Sequence, residues 1–253
     1  MRDPGTAARL RPPIDPDAEP LSAVRAGRFG VEYEPILDVW SGRLYGHEAL
    51  ARFYDRHGRP VSPARVFAGL ADHPELFART ELALKRLQIA HAPGPRLFLN
   101  LSGEAWATAG PAAFLDVLRG AQVPVVVEVV ESVHAAGVRQ GRDMVSALVG
   151  AGFQAALDDL GARDVLVCTD DLRAASVLKL DRSVLRAADE PGIVALAESL
   201  VAFAQRTGKL VVAEGVETDA DLEHARRLGV SLVQGYLFGA GVLSVGPPDL
   251  AAP

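Results

Sequence analysis

The 253 residues include one cysteine, Cys168. An internal disulfide is therefore excluded, and so is a cysteine-rich zinc centre. A buried or half-buried thiol without a role is the expectation. Positive charge is also scarce, with 26 Lys and Arg against 32 Asp and Glu and a net charge of −6. That balance argues against a broadly basic nucleic-acid surface, so DNA is not an expected partner. An anionic ligand would have to be met by local cations and metal. No apolar run reaches membrane-spanning length, and Met1-Arg2-Asp3-Pro4-Gly5 has no apolar signal core. The expectation is a cytoplasmic protein without membrane contact. The six histidines lack ligand spacing such as H-x-x-x-H, and Trp40 and Trp106 are expected to be packing groups.

What is present is a series of short apolar runs, each ending in a polar or charged residue. Arg96-Leu97-Phe98-Leu99 leads to Asn100, Val125-Val126-Val127 to Glu128, and Ala155-Ala156-Leu157 to Asp158-Asp159. Val177-Leu178 leads to Lys179, Leu210-Val211-Val212-Ala213 to Glu214, and Ser231-Leu232-Val233 to Gln234. Short apolar runs separated by helical patterns read as buried parallel strands. Helices are expected over Pro63–Leu70, Glu75–Ala92, Gly141–Leu148, Gly192–Arg206 and Ala220–Leu228. At this length, 49% hydrophobic, the pattern implies one α/β domain, a TIM-like (β/α)8 barrel. The polar residues then converge on the mouth at the C-terminal strand ends. Such a concentration of acids is costly to bury unless metal, substrate or each other pairs them. Upstream, Tyr33-Glu34-Pro35-Ile36-Leu37-Asp38 returns through Ser41-Gly42 to Leu44-Tyr45-Gly46-His47. This reads as a hairpin with the first strand antiparallel to the rest. Residues 1–27, with Pro4, Pro12, Pro13, Pro16 and Pro20, are expected to be a flexible arm. Residues 28–253 would form the barrel domain.

The motifs resemble one family, in order. His47-Glu48-Ala49-Leu50-Ala51-Arg52-Phe53 is similar to the signature of the EAL-domain cyclic di-GMP phosphodiesterases. Asn100-Leu101-Ser102 resembles the family's Asn-x-Ser, and Glu128-Val129-Val130-Glu131 its Glu-x-x-Glu. Asp158-Asp159-Leu160-Gly161 resembles Asp-Asp-Phe-Gly, and Lys179-Leu180-Asp181 resembles Lys-Ile-Asp. Glu214-Gly215-Val216-Glu217 and Gln234-Gly235-Tyr236-Leu237-Phe238-Gly239 complete the set. The likeness runs from about Phe29 to Val242.

The resemblance implies metal-dependent hydrolysis of cyclic di-GMP to linear pGpG, using two divalent cations, Mg²⁺ or Mn²⁺. Glu48, Asn100, Glu128 and Asp158 would hold one cation; Asp158 would bridge to a second, joined by Asp159 and Glu214. Lys179 would hold the attacking water or stabilise the phosphorane oxygens. Arg52, Leu50 and Gln234 would contact substrate, Arg52 as a forked phosphate clamp. Glu131 and Glu217 would couple the loops, while Asp181 caps locally. A homodimer is implied, and the N-terminal arm is available to a protein partner.

Three departures bear on turnover. The family's Asp-Asp-Phe-Gly-Thr-Gly-Tyr-Ser-Ser stands here as Asp158-Asp159-Leu160-Gly161-Ala162-Arg163-Asp164-Val165-Leu166. Arginine reaches glycine conformations only at a cost, so slowed hydrolysis is expected. Glu34 takes the place of the usual Gln before Pro35, adding negative charge near an anionic ligand. Gly241 replaces a usual proline, which is expected to loosen the final loop without touching a ligand. The alternative reading is a barrel without catalysis, acting as a cyclic di-GMP receptor or a protein-interaction module.

Overall fold

The hairpin expected around Ser41-Gly42 is the entrance to the architecture. In a computed structural model describing residues 20–129, 135–162, 168–187, 189–239, 241 and 244–245, β1 (Phe29–Asp38) and β2 (Leu44–Tyr54) pair antiparallel. Their register runs from Phe29 opposite Phe53 to Leu37 opposite Leu44. Asp38 shapes the turn: its Oδ1 accepts from Trp40 N at 3.2 Å and from Ser41 N and Oγ at 2.7 Å each. Six more strands follow: β3 (Leu97–Leu101), β4 (Val125–Val129), β5 (Gln154–Leu160), β6 (Val177–Leu180), β7 (Leu210–Ala213) and β8 (Leu232–Gln234). From β2 to β8 each strand pairs parallel with the next. β8 then pairs antiparallel with β1, closing an eight-stranded barrel in which only the first strand is reversed. Short strands Pro60–Val61 and Ser244–Val245 extend the sheet beside β2 and β1.

Successive side chains on a strand alternate between faces, and here both faces are buried. One face packs beneath the helices, where Leu97, Leu99, Val125, Val127, Ala155, Leu157, Leu178, Val211 and Val233 join the main core. The other face points into the barrel. Ile36, Phe98, Val126, Ala156, Val177, Val212 and Leu232 form a separate apolar cluster there, the barrel's floor. Full burial of such side chains contributes about 1.5–3 kcal/mol each for the larger ones.

The expected helices are present as Pro63–Leu70, Pro74–Ala90, Ala135–Gly150, Pro191–Arg206 and Asp219–Leu228. Shorter ones at Gly103–Ala109, Pro111–Arg119, Thr169–Ala174 and Arg182–Arg186 were not expected. The arm expected over residues 1–27 does not extend through its last part. Pro20–Arg25 is a helix that buries Ala23 and Val24 in the main core, so apolar burial outweighs the proline-rich context there; residues 1–19 lie outside the described ones. Trp106 stacks on Phe114 as a packing group. Trp40, by contrast, is 68% exposed at the hairpin tip, with the Arg226 guanidinium 5.7 Å from its ring centroid. Among the described residues, no helix is long and apolar enough to cross a membrane.

Candidate functional site

Two residues beyond each floor position on the parallel strands, the same alternation aims a polar side chain into the barrel. Phe98 is followed by Asn100, Val126 by Glu128, Ala156 by Asp158, Val177 by Lys179, Val212 by Glu214 and Leu232 by Gln234. Glu48 joins from β2, directly across the ladder from Glu34 on β1. Their centre is an ammonium. Lys179 Nζ lies 2.5 Å from Glu214 Oε1, 2.7 Å from Glu128 Oε1, 3.2 Å from Asp158 Oδ1 and 3.5 Å from Glu48 Oε2. Amides fix Glu48 in place: Asn100 Nδ2 donates to its Oε1 and Gln234 Nε2 to its Oε2, both at 2.6 Å. Gln234 Nε2 also reaches Glu34 Oε2 at 3.3 Å.

One lysine does not balance so many acids. Lys179 is 1% exposed; burial disfavours its charge, but Asp158, Glu128, Glu214 and Glu48 override that and raise its pKa well above the ordinary value. For Glu48, burial likewise opposes ionisation, and the Lys179 charge with its amide hydrogen bonds leaves its pKa below the usual one. Glu128 goes the other way: burial, then the Glu48 charge, pushes its pKa well up. It is completely buried, and although Nζ is close, the alignment leaves both its carboxylate oxygens without a hydrogen bond. Oε1 is met by the Lys179 charge, but Oε2 is met by no donor, which costs stability unless a cation reaches it. Glu214 is pushed up to about 8, chiefly by burial.

Asp158 and Asp159 are neighbours on one strand, so alternation would send them to opposite faces. The backbone breaks that rule. Asp159 has φ 56°, the one described non-glycine residue in the left-handed region, and the β5–β6 register shifts between Leu157 and Leu160. Asp159 N donates to Asp158 Oδ1 at 3.0 Å, and aspartate is among the residues that enter this region most readily. As a result Asp158, Asp159 and Glu214 each offer a carboxylate oxygen, all within 4.8 Å of one another, a set able to hold a metal ion. Burial, then the Asp158 charge, raises the Asp159 pKa to about 6. Glu48 and Glu128 stand outside this triad.

Over this layer opens a cleft of about 250 Å³, lined among others by Glu34, Leu50, Arg182, Gly215, Glu217 and Tyr236. Gly235 is needed where the cleft wall turns: at φ 153°, a Cβ there would fall 2.3 Å from Val216 O. Val216 N donates to Gln234 O at 3.0 Å, stitching the segment after Glu214 to the end of β8.

The residues expected at the mouth are thus gathered in one layer, with Leu50 on its wall. Arg52 is two residues further along β2, its Nε 2.7 Å from Glu32 Oε2. Glu217 lines the cleft and pairs with Arg186 at 2.9 Å. Asp181 caps the helix Arg182–Arg186, accepting from Ser183 N at 2.9 Å. Glu131, Arg163, Val165 and Leu166 lie outside the described residues. Sequence reasoning missed Arg182 and Tyr236; their signal was adjacency, one flanking the Lys179-Leu180-Asp181 run and the other the Gln234-Gly235 pair.

A family model described as the EAL domain matches residues 18–240. The chain belongs to the EAL domain family. This EAL domain is 27% identical over 237 residues to cyclic di-GMP phosphodiesterase NbdA of Pseudomonas aeruginosa, covering 88% of this chain and 30% of NbdA. It spans about a third of the length of the curated relatives it matches. Among solved structures, YkuI of Bacillus subtilis, with an EAL domain and in complex with c-di-GMP and calcium, superposes with a TM-score of 0.75. There the identity is 19%, covering 90% of this chain and 59% of YkuI, which supports the fold. The manganese and c-di-GMP complex of Klebsiella pneumoniae BlrP1 gives a TM-score of 0.66 at 25% identity, covering 87% and 59%.

Proposed function

We propose that this EAL domain hydrolyses cyclic di-GMP to linear pGpG with the help of two divalent cations, Mg²⁺ or Mn²⁺. The observation that carries the reading is the layer around Lys179, where four carboxylates from four strands converge on a single ammonium. The donor set fits hard cations: it is all oxygen, it contains the Asp158, Asp159 and Glu214 cluster, and it holds Glu128 Oε2, buried without a hydrogen bond. NbdA's name and the calcium and manganese complexes of YkuI and BlrP1 agree with it. Divalent cations held there supply a nucleophile at neutral pH by acidifying water and offset charge at phosphorus.

The chain's residues then divide the work. Glu48, Asn100, Glu128 and Asp158 would hold one cation, with Asp158, Asp159 and Glu214 holding the other. Asn100 and Gln234 keep Glu48 oriented through their 2.6 Å bonds. With cations held by the acids, the Lys179 ammonium would be free to hold the water or to stabilise the phosphoryl oxygens. Arg52 grips a phosphate, and Leu50 packs against the nucleotide at the wall of the cleft. The reading includes a cytoplasmic location, a second copy as dimer mate, loop coupling through Glu131 and Glu217, and a protein partner for the N-terminal arm; these rest on the family resemblance.

The test is chromatography of cyclic di-GMP incubated with the protein and Mn²⁺ or Mg²⁺. Metal-dependent pGpG, absent with Glu48→Ala, is expected; product formed equally fast by Glu48→Ala would refute the site. A second reading, a receptor that binds without cleaving, is motivated by the departure of Ala162-Arg163-Asp164-Val165-Leu166 from the family sequence. It requires intact dinucleotide together with retained affinity.

A further inference from the structure

Arg52 stands two residues along β2 from Leu50 of the cleft wall, on the same face of the strand, and its guanidinium is already engaged. Its Nε lies 2.7 Å from Glu32 Oε2, its Nη1 donates to Ala51 O at 3.0 Å, and its Nη2 is 4.0 Å from Glu34 Oε1. The Arg52 and Glu32 side chains are 20% and 11% exposed, so water and salt weaken this charge-assisted bond little. On the ladder Gly30 stands opposite Arg52 and Glu32 opposite Leu50, so Glu32 and Arg52 are diagonal neighbours on one face, within reach of each other.

What lets Glu32 lie there is a glycine from the far end of the chain. A Cβ on Gly241 would come 2.5 Å from Glu32 Cγ and 2.8 Å from its Oε1. Real Cβ atoms do not approach so closely, so a Cβ at 241 requires the Glu32 side chain or the backbone at 241 to shift, and the contact with Arg52 cannot stay as it is. Gly241 therefore does more than loosen the final loop: it admits the acid that holds the phosphate clamp.

We propose that Glu32, admitted by Gly241, competes with the substrate phosphate for the Arg52 guanidinium and thereby sets the domain's affinity for its dinucleotide. The inference rests on the functional reading above and deepens it. A phosphate oxygen approaching Arg52 must displace a carboxylate that already bonds Nε. Removing that carboxylate's charge, or its room, returns the fork to the ligand. Glu32 is not one of the carboxylates that meet Lys179; its effect runs through Arg52.

Calorimetric titration of cyclic di-GMP in Ca²⁺ distinguishes the possibilities, using the parent, Glu32→Gln, Gly241→Ala, Arg52→Gln and the Glu32→Gln/Arg52→Gln double variant. Glu32→Gln keeps the side-chain shape and should tighten binding by about tenfold, the scale of a partly buried charge pair. Gly241→Ala should move the same way, and Glu32→Gln should gain nothing once Arg52 is glutamine. An equal gain with and without Arg52 would mean general charge repulsion and overturn the proposal. Unchanged or weaker binding by Glu32→Gln, with the parent binding, would make Glu32 a buttress for Arg52 and overturn it too. If neither the parent nor any variant binds the dinucleotide, the functional reading itself fails and takes this inference with it.

Discussion

The floor of the barrel and the layer directly above it come from the same strands, two residues apart, and both are buried. Below, Ile36, Phe98, Val126, Ala156, Val177, Val212 and Leu232 exclude water with hydrocarbon. Above, Glu48, Glu128, Asp158 and Lys179 are nearly as inaccessible and carry opposed charges. Burial alone therefore does not separate stability from function. The floor gains from losing water, whereas the upper layer pays for desolvating charges that one lysine cannot balance. The barrel tolerates that cost because its floor and a large outer cluster of buried side chains are apolar. The surplus negative charge is what would draw divalent cations and, with them, an anionic ligand.

Substitutions in each layer would break the comparison if the account is wrong. Phe98→Ala should destabilise the protein by about 3–5 kcal/mol in denaturant unfolding, through lost transfer energy and a cavity. A loss under about 1 kcal/mol would show a floor that collapses or was never packed. Lys179→Met should destabilise the cation-free protein by about 3 kcal/mol, because it removes the buried cation that holds Glu48 ionised and pairs with the acids around it. Added Mn²⁺ should restore much of that in thermal unfolding; destabilisation that Mn²⁺ leaves untouched would contradict the role given to the layer.

Asp159 supplies a pH test. Its folded pKa of about 6 stands above the ordinary 3.8, so the folded state holds this proton more tightly than the unfolded chain. Stability of the cation-free protein from this group is then greatest below about pH 4, falls as pH rises to about 6, and is level beyond. Asp159→Asn should gain about 1–2 kcal/mol over the parent at pH 7 and nothing at pH 4, after discounting for partial exposure. An equal gain at both pH values would mean that charge is not its source. Smallest is Trp40→Ala, outside both layers and 68% exposed, expected to stay within about 0.5 kcal/mol in the same unfolding measurement. A larger loss would make the Arg226 contact structural.

Much of this contrast was legible in the chain because period two links Phe98 to Asn100 or Val177 to Lys179 without any knowledge of contacts. The reversed first strand was legible for a similar reason, since Ser41-Gly42 separates two runs of strand type. Other features were not local. Asp159 shares a site with Asp158 only through a left-handed backbone, which alternation forbids and the family motif alone suggested. The helix Pro20–Arg25 was hidden because proline density speaks for disorder, while the burial of Ala23 depends on partners far along the chain. Likewise, nothing near Glu32 in sequence announces Gly241; a long-range approach of 2.5 Å has no sequence signature.

The most direct test of the central claim is a Mn²⁺ titration of the purified protein followed by electron paramagnetic resonance, beside Glu128→Gln. The account predicts about two bound ions per chain, as a two-cation phosphodiester site requires, with occupancy reduced in Glu128→Gln. Free Mn²⁺ throughout, or binding that Glu128→Gln leaves unchanged, would contradict the assignment of the acidic layer as the cation site.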